Sequence, residues 1–222
     1  MTKHLSHLLI IFLATINLQA QNITVEAPPG YNFINNKESF PKGTTEGSPY
    51  LDDWQLSKII LNDGKIISGL MIRYNVYTNQ MQYQDNNKTY IIGTPDSISE
   101  IKFPSHNFLY KEYTTNKKID KSYFEIVVKG KVNLLNKYEI EVIPSKYYVA
   151  MDVGDKNDRL VLKQQLYLHQ GEMIVILNKK KDLLKVLNDR SKEISSYIDK
   201  EGLSCKKKED MSKVLTYYNQ LQ

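Results

Sequence analysis

The chain has 222 residues, 41% hydrophobic and 25% charged, with a mean hydropathy of −0.46, the profile of a water-soluble folded protein with enough mass for one good core or two small ones. Its formal charge of +5 is mild, and residues 179–213, with 11 basic and 7 acidic side chains, hold most of the excess in a C-terminal arm that suits a solvated helix face or an anionic surface or partner. A single cysteine, Cys205, excludes an internal disulfide, so stability has to come from packing.

Residues 1–20 have the pattern of a secretory signal peptide. Lys3 with His4 and His7 gives a short basic start, residues 8–16 an apolar core, and Ala20 a small residue before Gln21, where the mature chain is expected to begin. The apolar run is well short of the roughly 20 residues a spanning helix needs. No later stretch comes close, so no transmembrane span is expected in the mature chain, and no cysteine follows the cleavage site to carry a lipid anchor.

Residues 21–53 read as an extended lead-in, rich in turn formers and poor in periodic hydrophobicity. Asn22 and Asn87 sit in N-glycosylation-type tripeptides that carry meaning only in a host with the enzyme. A first β meander spans 54–112. Strands are expected at 56–61, 65–77, 80–84, 88–92 and 98–103, with Asp63-Gly64 as a strong hairpin signal. The hairpin around Asp63-Gly64 superficially resembles the strand-turn-strand of small Sm-like or SH3-like barrels, so a small barrel or a strongly twisted sheet is the expected shape. A Lys- and Thr-rich bridge at 113–121 leads into a second β segment running to 177, with strands at 123–128, 132–135, 138–143, 160–168 and 173–177 and a polar loop at 152–158. Alternation alone does not choose between an extension of the first sheet and a second layer.

Residues 178–222 are expected to form an αα-hairpin. Asn178 is placed to cap a first helix whose stripe runs through Leu183, Leu187, Ile194 and Ile198 up to Gly202, and Met211, Val214, Leu215, Tyr218 and Leu221 form the stripe of a second. The fold class is therefore α+β, an antiparallel β meander followed by a helical hairpin docked on it.

Chemistry-bearing motifs are scarce. The mature chain has two histidines, His106 and His169, and no paired cysteines, so a His/Cys metal site is poorly supplied. No HExxH, phosphate-binding Gly loop, Gly-x-Ser-x-Gly elbow or dinucleotide fingerprint occurs, so no catalytic, cofactor or metal residue is assigned. Asp152, Asp155 and Asp158 stand near Gly154 in an order unlike an EF-hand and read as a polar connection. Cys205, before three lysines and far from any histidine in sequence, reads as a buried or cap-adjacent thiol. Sixteen tyrosines against six phenylalanines and one tryptophan suit half-buried sheet faces and binding surfaces alike. Asp52, Asp53, Trp54, Tyr74 and Tyr77 are the candidate interaction residues.

The signal peptide, the segment 47–54 with its Leu51-Asp52-Asp53-Trp54, the strand 73–81, the segments 123–126 and 130–135, and Lys181-Asp182-Leu183-Leu184 together resemble a family of uncharacterised exported proteins of Bacteroidota. The resemblance covers most of the mature chain. It implies an envelope location, periplasmic or outer-membrane-associated, and carries over no catalytic residue. The expected function is a non-catalytic module that binds an envelope protein or other envelope component and no nucleic acid. The competing class is a glycan- or lipid-directed enzyme or small-ligand carrier with its site in the β body.

Overall fold

The computed structural model describes residues 45–221 apart from 87, 116 and 117; the expected signal peptide, Asn22, Asn87 and most of the expected lead-in lie outside them. Its strands are β1 (Thr45–Glu46), β2 (Gln55–Leu61), β3 (Ile66–Asn75), β4 (Gln80–Asp85), β5 (Lys88–Ile91), β6 (Ile98–Lys102), β7 (Asn107–Thr115), β8 (Lys118–Val128), β9 (Asn133–Ile143), β10 (Asp158–Gln170) and β11 (Met173–Ile176). Its α-helices are α1 (Lys180–Val186), α2 (Ser191–Glu201) and α3 (Lys208–Gln220). All eleven strands join one open, mixed sheet in the order β1-β10-β9-β8-β7-β6-β2-β3-β4-β5, with β11 also on β10 and β1–β10 the parallel pair. The second β segment therefore extends the first.

Local chemistry sets the turns. Asp63-Gly64 closes the β2–β3 hairpin, where Asp63 Oδ1 accepts the Lys65 N–H at 3.0 Å. Gly69, at φ 83°, is the extra residue of a bulge opposite Ser57 and Lys58, a conformation that suits glycine and increases the twist of the pair. The expected bridge at 113–121 is instead a hairpin of two long strands, paired from Phe108↔Glu125 to Thr115↔Lys118. The two short strands expected at 132–135 and 138–143 are one strand, β9, paired with β10 along its whole length.

The β8–β9 pairing is brief. The strands face each other at Glu125↔Asn136, Ile126↔Leu135 and Val128↔Leu134, and their remaining lengths separate, so the sheet forks at Glu125. Three cores meet there. Tyr123 of β8 and Tyr138 of β9 pack with Ile59, Ile72, Tyr74, Met81 and Phe108 on one side. Phe124 and Leu135, pointing to the opposite face as strand alternation requires, pack with Leu109, Tyr113 and Tyr167, the rings of Tyr113, Phe124 and Tyr167 meeting edge-on at centroid distances of 5.2–5.6 Å. β11 returns beside β7 to close this second core.

The third core is helical. Leu183, Leu187, Ile194, Ile198, Met211, Val214, Leu215 and Tyr218 are buried against Val132, Leu134, Leu166 and Leu168 of the sheet. Asn219 fastens α3 to the sheet by accepting from the Val132 N–H and donating to the Val132 carbonyl. Three helices stand where two were expected: the stripe through Leu183 and Ile198 is continuous, but a 3-10 turn at Asn188–Arg190 divides it. Capping differs as well. Lys179, not Asn178, holds the N-cap position of α1, and the Asp182 carboxylate accepts the N–H groups of both. Gly202, in the left-handed conformation, ends α2 as expected.

Candidate functional site

The fork brings together side chains that are far apart in sequence. Glu125, whose side chain is 8% exposed, accepts from His106 Nδ1 at 2.9 Å through Oε1, and from Tyr138 Oη at 2.7 Å and Asn136 Nδ2 at 3.0 Å through Oε2. Lys208 Nζ, from the start of α3, completes the shell at 3.3 Å. Burial works to raise the Glu125 carboxyl pKa, but the hydrogen bonds from His106, Asn136 and Tyr138 and the Lys208 charge outweigh it, so the carboxyl is held below its ordinary range. Burial next to this carboxylate pushes the Tyr138 phenol upward. His106 Nε2 lies 3.4 Å from Asp52 Oδ2, so the imidazole spans two carboxylates. One acid thus ties the segment before β2, the β6–β7 turn, both arms of the fork and the helical arm.

Of the candidate interaction residues, Asp52 belongs to this cluster and Asp53 is exposed beside it. Trp54 stacks on the Arg73 guanidinium at 4.2 Å to the ring centroid, with the Tyr50 ring also against it at 3.6 Å. Tyr74 is a core residue rather than a surface one. Its ring packs on Phe108 and Tyr123, its hydroxyl donates to Asn79 Oδ1 at 2.9 Å, and burial raises its pKa. Tyr77 is half-buried in the β3–β4 turn. The segment that carries Asp52, Asp53 and Trp54 runs against the end of β3, with the Leu51 N–H donating to the Tyr74 carbonyl and the Tyr77 N–H to the Pro49 carbonyl, but Tyr74 itself is buried.

The two histidines do not meet either. His169 bonds Asn133 and the Gly171 carbonyl, and burial lowers its pKa. Burial raises the Cys205 thiol, which belongs with its protonated, unreactive form. Two of the three aspartates at 152–158 are engaged locally: Asp152 takes the Tyr147 hydroxyl and Lys156, and Asp158 takes the Ser145 N–H. Among the described residues no group of three or more His, Cys, Asp or Glu is placed to hold a metal, and no helix is long and apolar enough to cross a membrane.

A cleft of about 300 Å³ adjoins the fork, lined by Asn136, Gln164, Gln165, Leu166, Leu177, Asn178, Cys205, Lys206 and Lys208. Asn136 is fully buried; its amide donates to Glu125 and Gln164 while its Oδ1 has no protein partner. A groove of about 460 Å³ with a mixed wall lies between β11 and α1, where Met173, Val175, Val186 and Tyr218 alternate with Lys131, Asp182, Lys185 and Asp189.

Three of the most exposed apolar side chains stand together elsewhere, while Leu56 and Ile66, similarly exposed, lie apart from them on β2 and β3. The β9–β10 connection narrows through a Tyr148↔Val153 bridge, and there Tyr148, Met151 and Val153 are 63%, 67% and 60% exposed. Ile119, 71% exposed, lies near the β7–β8 turn at the same end of the sheet. No family model, curated protein or solved structure matches the chain.

Proposed function

We propose that this chain is an exported protein of the cell envelope, periplasmic or outer-membrane-associated, that binds another envelope component by surface contact and turns over no substrate. The observation that carries this is the apolar tip of the β9–β10 arm, since large apolar side chains held together in water mark a contact surface more often than an accident of composition. In this view α2 and α3, joined through Gly202, act as a helical hairpin that braces the sheet, the first half of the sheet is a small-barrel-like body, and the tip stands on the β9–β10 arm of the second half. The partner is an envelope component and not a nucleic acid. Affinity capture of the mature protein from its own envelope, run beside a Met151→Ser/Val153→Ser variant, tests this. Partners lost with the variant support surface binding; an unchanged capture, or recovery of a chain with intact Met1 from the cytosol, overturns it.

A second reading, a small-ligand carrier or a glycan- or lipid-directed enzyme, draws on one specific observation: the Glu125–His106–Asp52 chain stands beside the polar cleft at Asn136 and Lys208. It requires that a folded Glu125→Gln protein lose binding or turnover of a small glycan or lipid headgroup.

A further inference from the structure

Building on the proposal of an envelope-binding protein, we infer that the tip of the β9–β10 arm enters a lipid surface, with Tyr148, Met151 and Val153 at the boundary of headgroups and acyl chains and Lys146 and Lys156 at headgroup depth.

Shape is the first ground. Three side chains, each at least 60% exposed, project from the end of an arm that has left its β8 neighbour at the fork. A protein partner would need a socket matched to this convex tip, whereas fluid lipid closes around it.

The tip is also held in place. The Tyr148 N–H donates to the Val153 carbonyl at 2.9 Å, and the Met151 N–H to the Tyr148 carbonyl at 3.0 Å. Gly154, at φ 105°, packs so closely on the Lys146 carbonyl that a Cβ there would lie 2.1 Å from its oxygen, and Asp152 adopts φ 48°, a costly conformation for a residue with a side chain. Such a frame holds apolar groups outward when collapse onto the sheet would otherwise cover them.

The rim combines Tyr147, Lys146 and Lys156 with the exposed Asp152 and Asp155. Lys156 lies over the Tyr147 ring at 4.9 Å from its centroid, and the Asp152 carboxylate, the acid between Met151 and Val153, is engaged by both the Tyr147 hydroxyl and Lys156. Tyrosine rings and lysine stems are at home where hydrocarbon meets headgroup, and a paired carboxylate is less costly there than a free one. Ile119, with the exposed Lys118 and Lys121 beside it, offers a second contact of the same kind at this end of the sheet.

The test uses full-length mature protein and flotation with two sets of vesicles, phosphatidylethanolamine with phosphatidylglycerol and phosphatidylcholine alone. The intact protein floats with both, and Met151→Ser or Val153→Ser lowers partitioning by about three- to tenfold each, the loss expected for removing part of one inserted apolar side chain. Urea midpoints stay unchanged, because both residues are exposed. Met151→Trp gives blue-shifted emission that brominated acyl chains quench. Absence of flotation, or flotation untouched by the double Met151→Ser/Val153→Ser change, overturns the lipid assignment. If vesicles fail to bind while capture of an envelope protein still depends on these two residues, the lipid assignment falls and the binding proposal stands; if neither depends on them, both fall.

Discussion

Glu125→Gln removes the charge at the fork while keeping the side chain's size, and its cost can be worked from the contacts. In the native protein two carboxylate oxygens receive four donors, from His106, Asn136, Tyr138 and Lys208. A glutamine offers one acceptor oxygen and no charge, so it either turns its N–H against Asn136, Tyr138 and Lys208 or turns it toward His106, whose Nδ1 must then accept instead of donate, and in both cases the charge-assisted bonds are lost. Hydrogen bonds to a charged group contribute about 1.5–3 kcal/mol each, and breaking a buried pair by removing one partner costs roughly 3–5 kcal/mol. His106 and Lys208 are 24% and 29% exposed and regain part of this from water, which brings the expected loss to about 3 kcal/mol. Urea unfolding at pH 7 reads it as a lower midpoint at unchanged slope. The folded carboxyl is held below its ordinary range, so its contribution is present above the unfolded value of about 4.3 and is lost as pH falls through the lower folded value. The gap between wild type and Glu125→Gln should therefore close in acid. A gap under about 0.5 kcal/mol at pH 7, or one that persists below the acid transition, would refute the hub described here.

Three further outcomes are expected. Leu187→Ala, at a fully buried position of the helical core, should cost about 2–5 kcal/mol in urea unfolding. Asn79→Ala should cost about 2–4 kcal/mol, because Asn79 bonds the Tyr74 hydroxyl, the Ser122 hydroxyl, the Tyr123 N–H and the Lys121 carbonyl; amide exchange at Tyr123 should rise with it. Cys205 should react with a thiol reagent more slowly than free cysteine at pH 8, since burial raises its pKa, and Cys205→Ser should leave the unfolding midpoint nearly unchanged.

Most of the strands were legible in the sequence because they alternate and end at strong turn formers, as at Asp63-Gly64, and Gly202 marked the end of α2. β7 was obscured because its buried Leu109 and Tyr113 are separated by Lys111 and Glu112, which makes the segment look like a polar bridge. The hub was hidden for a different reason. Tyr123, Phe124 and Glu125 are all buried, on alternating faces that both carry a core, so strand parity gave no sign that Glu125 faces inward. Its partners arrive from positions 106, 136, 138 and 208, and no linear motif joins them. The apolar tip was masked by its neighbours: Asp152, Asp155 and Asp158 made the connection look uniformly polar, although Tyr148, Met151 and Val153 carry its exposed character. Division of the helical stripe at Asn188–Arg190 escaped notice because a 3-10 turn keeps the apolar side chains on one face while changing the backbone.

The fork leaves β8 with an edge that no strand covers, exposed at 118–121 and buried at 122–124. Above Glu125, β8 pairs only with β7, and its other side is closed by an amide side chain at Asn79, which donates to the Lys121 carbonyl and accepts from the Tyr123 N–H, in place of a strand. A plug of this kind is withdrawn by lifting one turn, with the rest of the sheet intact. The bare edge then available is a template for a strand from another copy, so aggregation on mild heating should begin at β8, ahead of global unfolding.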